Sequence, residues 1–182
     1  MCTRNIPVTF KYVPVTMVKK STRLKIMEKY LRLLNPKTTN FDAIGGGSHG
    51  SITAQDVCVA MSYARLSLLQ DNLVRLKCLG ANSIENIEKF ATVLLGKYDT
   101  RLMNAGLANR YHLAVIRVAL IEFCKVPANY KPTERNREVL SGFSDSTVRK
   151  HLAKHIDAIL EDFQDEYKLS EEKIFFQLNK SK

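Results

Sequence analysis

The sequence predicts an all-α protein: a helical body with a helix-turn-helix-like C-terminal element, preceded by an extended basic N-terminal arm. Three observations carry this reading. After residue 50 the apolar side chains recur three and four residues apart rather than two. The segments so patterned open on Thr or Ser and close on Gly or Pro. No convincing run of alternating strand residues interrupts them.

Residues 1–50 divide into an arm, a short helix and a glycine-rich linker. Met1 to Lys20 contains Pro7, Pro14 and the β-branched string VPVT, which favour extended backbone over a packed element. Ser21 or Thr22 can cap a basic helix, LKIMEKYLRLL, with Leu24, Met27, Leu31 and Leu34 at helical spacing and Asn35–Pro36 as its stop. The GGGSHG run from Gly45 to Gly50 reads as a flexible joint. A phosphate-binding loop would need a preceding strand and a following Lys-Ser or Lys-Thr, and neither is present.

Residues 51–182 form the helical core, with a helix-turn-helix-like segment at about 134–163 and a C-terminal helix after it. Thr53 and Asp56 make a capping box for a helix running through Val57, Ala60, Met61, Ala64 and Leu68 to Leu79, with Gly80 as its stop. Ser83 caps the next, through Ile84, Ile87, Phe90, Val93 and Leu94 to Gly96. A third spans about Leu107 to Lys125; it is apolar on most faces, so it belongs in the centre, and Pro127 terminates it. A short helix from Glu134 then ends at Gly142, and Ser144 is placed to cap a helix reaching Phe163.

Helix, glycine turn, helix over about 134–163 is the outline of a helix-turn-helix. On its second helix Val148, Leu152, Ile156, Ile159 and Phe163 form the stripe expected to be buried, while Thr147, Lys150, His151 and Lys154 occupy another, flanked by Arg149. The N-terminal part of a recognition helix reaches base edges, so Ser146, Thr147, Arg149 and Lys150 are the candidate base contacts. Lys154, Arg135 and Arg137 are the candidate phosphate contacts, with Lys125 and Lys131 extending the same surface. The competing reading of this stripe is a solvated basic face.

Charge points the same way. The 182 residues carry a net charge of +10, which favours an acidic partner, nucleic acid foremost. From Met1 to Lys37 nine cations face one acid, Glu28, whereas Asp157 to Glu172 is acidic, with Glu161, Asp162, Asp165 and Glu166 at its centre. An acidic stretch beside a basic surface suits a protein contact, and a solvated helix face is the competing reading.

Other classes find no support. Cys2, Cys58, Cys78 and Cys124 are too far apart for a zinc motif or a disulfide scaffold, and read as reduced thiols. His151 and His155 are four apart on one helix, but with Cys124 they give only three ligands from separate elements, so no metal and no cofactor is expected. The most apolar run, LAVIRVALIEF, is interrupted by Arg117 and Glu122, which argues against a membrane span, and no secretory signal is visible. No nucleophile elbow, metal cluster or phosphate loop suggests an enzyme.

The ordered segments SITAQDVCVAM at Ser51, LGKYD at Leu95, EFCKVPA at Glu122, HIDAILEDF and SEEKIFFQL, with FKYVPVT near the start, resemble the late-gene antiterminator Q proteins of lambda-like bacteriophages. The resemblance implies a phage or prophage transcription factor working in the bacterial cytoplasm at the nucleoid. Its partners would be double-stranded DNA at a late promoter and bacterial RNA polymerase paused with its sigma factor, which it modifies to read through terminators. The acidic residues Glu161, Asp162, Asp165 and Glu166, or the basic arm, would then meet polymerase. One departure stands out: the family's two CxxC pairs after the segment similar to EFCKVPA are absent, so its zinc site is not expected here. A plain helix-turn-helix regulator, or an RNA-binding protein, is the alternative.

Overall fold

The structure, a computed structural model, describes residues 31, 52–126 and 130–180. Every described element is helical, with no strand among the described residues. The order is α1 (Ala54–Tyr63), α2 (Leu68–Cys78), α3 (Ile84–Asn104), a 3-10 turn at Asn109–Tyr111, α4 (His112–Cys124) and α5 (Glu134–Ser141). A final helical run opens as an α turn at Asp145–Thr147, passes through a π-turn at Val148–Leu152 and continues as α6 (Ala153–Lys180).

Two helices organise the core. α6 packs on α1, α2 and α4, while α4 also packs on α3 and α5. Nine of the thirteen residues of α4 are buried, which makes it the central helix its apolar sequence predicts. Phe163, fully buried on α6, meets Tyr98 and Phe123 edge-on at 5.9 and 6.1 Å. Leu31, from the predicted basic helix, is helical and wholly buried in this core. The rest of the arm and its helix, the glycine joint, Cys2 and Pro127 lie outside the described residues.

Several boundaries differ from expectation. The single helix predicted to reach Leu79 is two, because Arg65 adopts a left-handed conformation (φ 48°) and Ser67 starts α2 with a reciprocal capping box to Gln70. Gly96 does not stop α3: Tyr98 and Leu102 continue its buried stripe, and the chain turns instead at Gly106, φ 78°. The segment predicted to begin at Leu107 starts with the 3-10 turn, and α4 closes with Lys125 in the left-handed region. The second helix of the C-terminal pair runs unbroken past Phe163 to Lys180.

In the π-turn the Ala153 N–H bonds to the Val148 carbonyl, one residue wider than in an α-helix. Val148, Leu152 and Ile156 are all fully buried across it.

Candidate nucleic-acid interface

Between α5 and the last helical run the chain turns in three residues. Thr133 caps α5 by accepting from the Asn136 N–H at 3.2 Å, and Gly142 ends it with φ 74°, its N–H bonded to the Glu138 carbonyl at 2.9 Å. Ser144 departs from its expected role. Its carbonyl accepts from the Thr147 and Val148 amides at 2.9 Å each, but its hydroxyl pairs with those of Thr147 (3.0 Å) and Ser146 (3.2 Å) rather than capping an amide.

The pair of helices is fastened to α4 by charge as well as by packing. Glu122, on α4, accepts both arms of the Arg137 guanidinium, Nε at 2.7 Å and Nη2 at 2.8 Å, a two-bond geometry that fixes distance and plane together. Arg137 Nη2 also reaches Asp157 on α6 at 2.6 Å, and the Tyr130 hydroxyl donates to Glu122 at 2.9 Å. The side chains of Arg137 and Glu122 are only 11% and 2% exposed. The hydrogen bond to Glu122 holds the Arg137 guanidinium even more firmly protonated than usual, against burial, with Asp157 adding to it. From one turn earlier on α4, Arg117 donates to the Leu140 carbonyl at the end of α5 and to Glu88 at 3.3 Å.

The proposed contact residues therefore separate. Arg135, Ser146, Arg149, Lys150 and Lys154 are exposed, as are the extending cations Lys125 and Lys131, and Thr147 is half-buried. Arg135, Arg149, Lys150 and Lys154 form no ion pair among the described residues. Arg137 is the correction: expected on the phosphate-facing surface, it lies inside the Glu122–Asp157 network, because its position on α5 faces α4. Val148, Leu152, Ile156, Ile159 and Phe163 are buried as expected.

Much of the acidic stretch is engaged internally. Asp162 pairs with Arg101 of α3, Glu166 accepts from Gln70 Nε2 of α2 at 2.8 Å, and Asp165 pairs with Lys168 at 2.9 Å. Glu161 is exposed.

Of the two histidines on the last helical run, His151 is exposed and His155 buried. Burial, then the nearby charge of Lys154 and the proximity of His112, lowers the His155 pKa below its ordinary 6.5. His112 itself is wholly buried at the start of α4, its Nδ1 2.7 Å from Asp99 and its Nε2 2.9 Å from the Leu107 carbonyl. Sequence reasoning passed over His112 and used Arg117 and Glu122 only as interruptions of an apolar run. The signal was present, since a charge on a helix apolar all round must find a buried partner.

Taken together, fold and surface define an all-α protein carrying a helix, a glycine turn and a helix whose outer side is cationic. No helix among the described residues is long and apolar enough to cross a membrane. Comparison with protein-family models, curated proteins and solved structures finds no match.

Proposed function

We propose that the chain is a DNA-binding transcription factor that enters the major groove with the first turns of the helical run beginning at Asp145, and that it acts on RNA polymerase as a phage-type antiterminator. The supporting observation is the row of exposed cations, Arg149, Lys150 and Lys154 with Arg135 beside them, that have no acidic partner among the described residues while their helix is locked below by Val148 and Leu152. Uncompensated cations on a rigid helix next to a tight turn suit a polyanion with a groove. Arg149 and Lys150 supply base-edge donors, the Ser146 and Thr147 hydroxyls add adaptable ones, and Arg135 and Lys154 meet phosphates.

Antitermination rests on the ordered resemblance of six segments to the Q proteins, and DNA binding does not depend on it. The test is footprinting on the DNA flanking the protein's own gene, with and without RNA polymerase paused nearby, joined to transcription through a downstream terminator. Protection together with readthrough supports the full reading. Protection without readthrough reduces it to a plain DNA-binding regulator, and no protection removes both.

A further inference from the structure

Arg110, a residue outside every predicted contact, sits in the 3-10 turn before α4 and is exposed. Its guanidinium lies over the Tyr111 ring, 4.6 Å from the centroid, and its Nη2 donates to the Tyr111 hydroxyl at 2.6 Å. The Tyr111 ring in turn meets Phe143 edge-on, with centroids 4.8 Å apart. Phe143 is the middle residue of the glycine turn. A chain of stacked groups thus runs from the cation directly to the turn, and Arg110 forms no ion pair among the described residues.

We propose that Arg110 is a phosphate-binding residue of the same DNA surface, held by Tyr111 and Phe143 so that it meets the backbone beside the groove entered by Arg149 and Lys150. This rests on the DNA-binding reading and extends it. When the N-terminus of a recognition helix enters the major groove, the turn preceding it comes close to the groove wall, which is phosphate. A guanidinium anchored to that turn is carried there with it. The stack and the hydroxyl bond limit its rotamers in advance, so little freedom is lost when it takes up a phosphate oxygen. The remaining N–H donors stay open for a two-bond contact. Tyr111 is itself buried, so the platform does not move with the side chain it supports.

The experiment measures affinity by fluorescence anisotropy, over a range of salt, for two short labelled duplexes: one of random sequence and one selected from a random pool by the wild-type chain. Arg110→Gln should flatten the dependence of log affinity on log salt by roughly 0.9 on both duplexes, leaving their affinity ratio unchanged. Arg110→Lys should keep the slope, since it keeps the charge. Arg149→Ala should instead lower the ratio. A wild-type slope in Arg110→Gln, while Lys154→Gln reduces it, overturns the assignment of Arg110 and leaves the DNA surface standing. Absence of any salt-dependent binding by the wild-type chain overturns the proposed function and this assignment with it. Unfolding followed by circular dichroism verifies that the exposed substitutions leave the fold intact.

Discussion

Replacing Arg137 by Met would leave the Glu122 carboxylate, 2% exposed, with the Tyr130 hydroxyl as its one remaining hydrogen-bond donor among the described residues. An orphaned buried charge of this kind costs about 3–5 kcal/mol, whereas replacing both partners with apolar side chains of similar volume is often neutral or better. The two strong bonds to Glu122 dominate that figure. The third, to Asp157, involves a carboxylate that is 63% exposed and is worth at most about 1 kcal/mol. Arg137→Met and Glu122→Leu should therefore each lower stability by about 3–5 kcal/mol. The double substitution should fall well short of the sum, and Asp157→Asn should lose no more than about 1 kcal/mol. Urea unfolding followed by far-UV circular dichroism, with the slopes compared to verify two-state behaviour, gives all four values. Single losses under about 1 kcal/mol, or a double variant that simply adds the singles, would refute the claim that this pair fastens α5.

Other expectations follow from single features. Because the folded His155 holds its proton less tightly than the unfolded one, the unfolded chain binds more protons below about pH 6.5, and stability should fall as pH drops through that value; His155→Leu should flatten that part of the stability–pH curve. Gly96 lies mid-helix with open space around it, so Gly96→Ala should stabilise by about 0.5–1 kcal/mol, while Gly142→Ala, at φ 74°, should destabilise by about 1–2 kcal/mol, both read from thermal unfolding. On the proposed DNA surface, Arg135→Gln and Lys154→Gln should each reduce the salt dependence of affinity by roughly 0.9, and unchanged slopes would refute their placement at phosphates. Arg149→Ala should weaken binding to the preferred site by about 1–3 kcal/mol and relax specificity at one base pair, which competition with single-position DNA variants would reveal.

The parts of this fold that were legible beforehand are those set by local rules. Thr53–Asp56 and Ser83 start helices where their hydroxyls can accept an amide, and Gly142 ends one where only a left-handed residue fits easily. The buried stripe from Val148 to Phe163 follows from spacing alone. What escaped depends on neighbours distant in sequence. Gly96 looks like a stop until Tyr98 and Leu102 are seen to pack in the core. Arg137 looks like its neighbour Arg135 until Glu122, fifteen residues earlier, is found facing it. Ser67–Gln70 was the exception, a capping box visible in the letters but submerged in a longer apolar run. Among the candidate site residues the distinction between surface and interior was likewise a tertiary matter. A cationic stripe names the side of a helix, whereas only the packing partner tells which adjacent cation has already been taken.

The unbroken run from Asp145 through the π-turn to Lys180 also makes the cationic end and the hub of the core a single rod, roughly 50 Å long at the helical rise. Its near end carries Lys150 and its far end Leu178, which is buried. If a partner bound at Lys150 tilted that end by about 5°, a straight helix of this length would displace the opposite end by about 4 Å, more than close side-chain packing absorbs without rearrangement. The helices laid along it, α1, α2 and α4, would therefore report mechanically on how the cationic end is seated.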